Sequence, residues 1–145
     1  RLRICGRGAA DEVRRLQQRI KDQGLGKVVE LMGARNDVLE LMSESDLFLM
    51  SSEYEGLPIA LIEATMSGLP CIVTDVGGCR EVIDRCGNGL VVPPKDPKAF
   101  AAAIQALSDN HRKRTEMSNN ATSTSKFFSI GTTAASYIDV YNRSR

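Results

Sequence analysis

Apolar and polar positions along this chain follow two alternating rhythms. Five short runs are rich in Val, Ile and Leu and read as strands: RLRIC (1–5), KVVELMG (27–33), DLFLMS (46–51), PCIVTD (70–75) and GLVVP (89–93). Helical spacing fills the gaps. Residues 9–23 carry Val13, Leu16 and Ile20 on one face and end at Gly24 and Gly26. Residues 36–45 predict a short helix with Val38, Leu39 and Met42 inward and Asn36 or Asp37 near its cap. Residues 58–67 predict another, opened by Pro58, with Ile59, Ile62 and Met66 as its core face and Ala60 and Ala64 allowing close packing. A short helix follows near 79–84. The strongest pattern is 96–108, where Asp96 is the expected cap and Phe100, Ile104 and Leu107 share a face.

Strands alternating with helices predict an α/β domain: a Rossmann-like, three-layer arrangement in which one mostly parallel sheet carries all five runs. Residues 109–126 are polar with a weaker helical pattern. The apolar positions of 127–142, from Phe127 to Tyr141, predict a final helix that packs on the body or on a further domain. The chain opens on a strand run without an initiator Met, so a fragment of a longer protein, cut at its N-terminus, is expected.

Composition narrows the classes. Lys and Arg number 19 against 18 Asp and Glu, which gives no electrostatic reason to expect nucleic acid as a partner. No apolar run approaches the roughly 18 residues of a membrane span. The spacing of Cys5, Cys71, Cys79 and Cys86 fits no zinc-binding pattern, and no metal site is expected. Cys5 and Cys71 lie in strand runs and read as small core residues, whereas Cys79 and Cys86 read as free thiols at loops or helix ends. A reducing, cytoplasmic setting follows from that usage. His111 stands in the basic run HRKR (111–114), read as a solvated helix end. The run leaves open a peripheral contact with an anionic membrane surface, at its inner face.

Ligands of open α/β sheets bind beyond the carboxyl ends of the strands. Three glycine-containing loops belong there: Gly6-Arg7-Gly8, Glu55-Gly56 and Gly77-Gly78. Helix starts follow each, so free amides could meet a phosphate. Gly6 and Gly8 are candidates, but a full dinucleotide fingerprint needs a third glycine where Asp11 stands. The Gly77-Gly78 loop reads equally well as a plain turn. Glu55 and Glu63 are eight positions apart, one before the helix and one inside it. Two readings of this pair stay open from spacing alone. Both carboxylates are solvated, or Glu63 borders the core and binds ligand hydroxyls such as a vicinal diol.

These residues resemble a known family. Glu55-Gly56-Leu57-Pro58, Glu63-Ala64, Gly68-Leu69-Pro70, Thr74-Asp75, Gly77-Gly78 with Glu81, and the run NGLVVPPKDPKAFAAAI (88–104) look like the retaining nucleotide-sugar glycosyltransferases of family 4. The resemblance implies the two-domain GT-B architecture, of which this chain matches the C-terminal, donor-binding half. It implies a nucleoside-diphosphate sugar as donor, a glycan or lipid-linked acceptor, metal-independent chemistry, and work in polysaccharide, lipopolysaccharide or glycolipid assembly. It implies that Glu55 lies by the donor sugar as the catalytic glutamate. Glu63 is matched to the ribose hydroxyls, the Gly56 and Leu57 amides to the sugar and diphosphate, and Ala34 and Arg35 to the base. The family's basic Arg and Lys lie upstream of RLRIC and have no counterpart here; Arg7 does not match their position. The isolated chain is therefore expected to bind donor without transferring sugar. A GT-B nucleotide-sugar epimerase and a non-catalytic nucleotide-sugar-binding domain are the alternatives.

Overall fold

The computed structural model describes residues 1–143. In chain order the elements are β1 (Leu2–Cys5), α1 (Ala10–Asp22), β2 (Val29–Gly33), α2 (Val38–Ser43), β3 (Phe48–Met50), α3 (Ile59–Met66), β4 (Cys71–Thr74), α4 (Cys79–Cys86), β5 (Gly89–Val92), α5 (Pro97–Ser108), α6 (His111–Thr124) and α7 (Ile130–Arg143). Every predicted strand is present, and every strand pair is parallel.

The strands do not form the single sheet expected. β1 pairs with β2, and β3-β4-β5 form a separate three-stranded sheet. The chain correspondingly divides into two compact units, Arg1–Val38 and the remainder from Leu39. Side-chain periodicity reports which faces a strand buries. It carries no signal for which backbone edges pair, and the sequence reading was blind at that point.

In the first unit, Leu2 pairs with Val29 and Ile4 with Leu31. The α1 helix begins where Glu12 reaches back to accept a hydrogen bond from the Ala9 amide at 3.3 Å. None of its residues is buried.

The second unit holds the core. All four residues of β4 are buried, as a central parallel strand covered on both faces should be. Ile72 packs with Val92, Ala103, Leu107 and Met117. Burying one such side chain stabilises by about 1.5–3 kcal/mol. Cys71 and Val73 point the other way by the strand's pleat, toward the layer of α3 and α4. Asp96 caps α5 as expected, accepting from the Ala99 amide at 2.9 Å. Residues 109–126 are more regular than their polarity indicates. Asn110 caps α6 through the Lys113 amide, and Met117 and Ala121 are buried four positions apart. His111 lies at the exposed start of that helix. The final helix is present as α7, but none of its residues is buried and Ile130, Tyr137 and Tyr141 are exposed.

Two further expectations are corrected. The buried face of α3 is Leu61, Ala64 and Thr65, continued by Pro58; Ile59 and Met66 are about half exposed. Apolar content alone favours the predicted stripe, and tertiary packing overrides it: Thr65 is buried with its hydroxyl donating to the Leu61 carbonyl at 2.9 Å and accepting from the Asn88 side-chain amide at 3.1 Å. One cysteine is also corrected: Cys5, on the face of β1 that carries Arg1 and Arg3, is exposed, whereas Cys71 is buried as expected and Cys79 and Cys86 are free thiols at the two ends of α4, both buried. The α4 helix runs on to Cys86 because Gly87 closes it in the left-handed conformation. Cys79, Val82, Ile83 and Cys86 then form one buried stripe.

Candidate functional site

In the second unit, β3 and β4 run parallel, so the loops leaving their carboxyl ends emerge together. The first loop, residues 51–58, carries Glu55, Gly56 and Leu57. The second, residues 75–78, carries Gly77 and Gly78. They are joined directly. The Thr74 hydroxyl donates to the Ser52 carbonyl at 2.6 Å, and the Gly78 amide donates to the Gly56 carbonyl at 3.1 Å.

Glu55 is half-buried. Its carboxylate accepts a hydrogen bond from the Ser52 hydroxyl at 2.7 Å. Burial raises the pKa of the Cys79 thiol, and the Glu55 carboxylate raises it further, as a negative charge facing a thiol does.

Beyond Glu55, the Gly56 and Leu57 amides are exposed and make no hydrogen bond among the described residues. They immediately precede α3, whose start adds partial positive charge. Glu63 lies in α3 on the stripe of Ile59, Ile62 and Met66, opposite the buried face. It is half-buried, and its carboxylate has no hydrogen-bond or ion-pair partner among the described residues. A carboxylate without a protein donor takes its hydrogen bonds from water or from a ligand. Glu53 is exposed and lies 3.3 Å from Lys95.

The first unit contains the other predicted site residues. Gly6 and Gly8 line an open hollow of about 250 Å³ together with Arg7, Glu12, Val13 and Gly33. The Gly6 amide donates to the Gly33 carbonyl at 2.9 Å. Ala34 and Arg35 are exposed just after β2. Arg35 Nε donates to Asp37 at 2.8 Å, in a fork completed by the second guanidinium nitrogen. That bond holds the Asp37 carboxyl below the usual carboxylate range.

Sequence reasoning did not single out Ser52, which orients Glu55, or the role of Thr74. The spacing of Ser52 and Glu55 carries no signal that separates this side-chain bond from a solvated serine. Among the described residues no group of three or more His, Cys, Asp or Glu is placed to hold a metal ion.

The joined loops after β3 and β4, with the unpartnered Glu63 in the helix beyond them, leave donors and an acceptor open to a ligand at the carboxyl ends of a parallel sheet. The profile of the family described as glycosyl transferases group 1 matches residues 1–124. The chain belongs to that family of GT-B glycosyltransferases. It is 30% identical over 115 residues to N,N'-diacetylbacillosaminyl-diphospho-undecaprenol alpha-1,3-N-acetylgalactosaminyltransferase of Campylobacter jejuni, covering 79% of this chain and 31% of that protein. HepE of Anabaena, solved in complex with UDP, superposes with a TM-score of 0.88 at 25% identity, over 97% of this chain and 40% of that one. The C-terminal domain of a group 1 glycosyl transferase, LpcC from Francisella tularensis, shares the fold. Its TM-score is 0.73 at 24% identity, over 82% of this chain and 63% of that one. The chain thus spans about a third of the curated relative's length.

Proposed function

We propose that this chain is the donor-binding part of a retaining glycosyltransferase of family 4. Its donor is a nucleoside-diphosphate sugar, and its acceptor is a glycan or a lipid-linked glycan in polysaccharide or lipopolysaccharide assembly. The observation that carries the reading is the carboxylate of the half-buried residue Glu63, which has no protein donor among the described residues, in the helix that follows the unbonded Gly56 and Leu57 amides. A ribose supplies the vicinal hydroxyls that such a carboxylate accepts from. The amides and the start of α3 favour negative charge, and so stabilise the diphosphate as it departs without calling for a metal. Glu55, held by Ser52, is assigned to the donor sugar. In the first unit Gly6, Gly8, Ala34 and Arg35 are assigned to the donor on the family resemblance. UDP bound to HepE and the undecaprenol-linked acceptor named for the Campylobacter transferase support the donor and acceptor classes. On this reading the chain alone binds donor but does not turn it over, because none of its residues matches the family's basic pair.

The test is calorimetry with UDP on the unaltered chain and on Glu63→Gln and Glu63→Ala. Losing a charge-assisted bond to ribose is expected to weaken binding by about 1.5–3 kcal/mol. Equal affinity in all three proteins would remove Glu63 from the site.

A further inference from the structure

We infer that the turn from Thr74 to Gly78 is the positioning device for Glu55, and that Gly77 is its least replaceable residue. The inference rests on the assignment of Glu55 to the donor sugar. The turn touches the Glu55 loop at three places. Thr74 holds the Ser52 carbonyl and the Gly78 amide holds the Gly56 carbonyl, at 2.6 and 3.1 Å. Between these two bonds, Gly77 lies against the Glu55 backbone itself. A Cβ at Gly77 would overlap the Glu55 carbonyl oxygen. It would also come within 2.7 Å of the Glu55 carbonyl carbon and 3.0 Å of the Gly56 oxygen. These are backbone atoms, so no side chain can swing away to relieve the overlap. Gly77 also has φ +50, which L side chains rarely adopt.

Gly78 differs. A Cβ there would meet Gly56 and Pro58 at 3.4 and 3.5 Å, an ordinary contact. The requirement for glycine is therefore local to the one residue that packs on the Glu55 peptide. Ser52 has its carbonyl held by Thr74 while its hydroxyl holds the Glu55 carboxylate. The turn thus fixes both the backbone and the side chain of Glu55. The glycine pair noted in the sequence as a possible phosphate cradle is here a clamp on the neighbouring loop. Displacing a positioned group by about 1 Å typically costs on the order of a hundredfold in rate.

The experiment measures the affinity of the 145-residue chain for UDP and for UDP-glucose, and takes the ratio as the share due to the sugar. Glu55→Ala is expected to change that ratio about tenfold, the scale of one hydrogen bond to a charged group. Gly77→Ala should reproduce that change while leaving UDP affinity within about threefold, and the double variant should change the ratio no further. Gly24→Ala is the control for backbone strain alone: its φ is +66 with open space around it, and its ratio should equal the unaltered chain's. If Gly77→Ala does not fold, Thr74→Val, which removes the other anchor, must shift the ratio in the same direction. A Gly77→Ala or Thr74→Val protein that keeps the unaltered ratio, while Glu55→Ala loses it, overturns the positioning role. A ratio that Glu55→Ala leaves unchanged overturns the Glu55 assignment, and the inference with it.

Discussion

In the first unit no side chain of β1, α1 or β2 is buried, and Leu16 is 37% exposed; in the second, all four residues of β4 are buried and Leu107 has no exposed surface. Both units are parallel ladders followed by helices. The difference is visible in the strands themselves. RLRIC alternates, with Arg1 and Arg3 on one face and Leu2 and Ile4 on the other, and Arg1 lies 3.6 Å from Glu30. CIVT presents no charge on either face. An alternating strand expects cover on one side, and a continuous apolar strand expects it on both. The stability of the chain is therefore concentrated from Leu39 onward. The carboxylate pair and the amides of the candidate site are built on that firmer half.

The largest effect should come from the core. Leu107→Ala is expected to cost about 2–5 kcal/mol, the range for a fully buried leucine. Leu16→Ala, on the apolar face of α1 but 37% exposed, should cost less, about 1 kcal/mol. Urea unfolding of both variants decides the matter through their midpoints. Similar losses at the two positions would mean that the units are equally well packed, and the comparison would fall.

What the sequence made legible divides between local and long-range causes. Strands, helix order, the Asp96 cap and the apolar face of α5 were readable because each has a local cause in spacing or capping chemistry. The rotation of α3 was not. Ile59, Ile62 and Met66 form the more apolar stripe, but Leu61, Ala64 and Thr65 are buried, and the partner that satisfies Thr65, Asn88, is 23 residues away. Cys5 was misplaced because it shares the exposed face of β1 with Arg1 and Arg3. The extent of α4 was read two residues short, because Gly87 sets its stop at Cys86. Glu55, Glu63, Gly56 and Leu57 were singled out as candidates through the motif. Ser52 and the contact of Gly77 with the Glu55 peptide were not, because one is a local bond and the other a long-range close approach, and neither leaves a periodic trace.

Thiol reactivity sharpens the contrast next. All four cysteines are free, but only Cys5, in the first unit, is exposed. A thiol reagent on the native chain at pH 8 should label Cys5 first, with the other three slower by more than about a hundredfold, since they wait for local opening. Cys71 should be the most inert: burial pushes its thiol up to about 12, so at pH 8 on the order of one molecule in 10⁴ carries the thiolate. Mass mapping after brief labelling gives the order. Equal labelling of Cys5 and Cys71 would show that β4 opens as freely as β1.

The smallest effect concerns two surface ion pairs, one in each unit. Arg80 donates to Asp75 through Nε at 2.9 Å and Nη2 at 2.6 Å, beside the Gly77 turn. Arg35 forms the same fork with Asp37 in the first unit. In both cases the arginine hydrogen bond holds the carboxyl below its ordinary range. A carboxyl whose folded pKa is depressed contributes stability at pH values above the unfolded value of about 4, and that contribution is lost as the pH falls through the folded value. Because the pairs are solvated, the contribution is small and salt weakens it. Carboxyl-carbon NMR titration should place the midpoints of Asp75 and Asp37 below the ordinary aspartate value. Arg80→Gln should raise the Asp75 midpoint and leave that of Asp37 unchanged, and Arg35→Gln should do the reverse. Matching behaviour in the two units would show that the difference between them lies in apolar burial and does not extend to their surface charges. An Asp37 that titrates normally while Asp75 stays depressed would extend the difference to the surface, and would mark the first unit as loosely held in its polar contacts too.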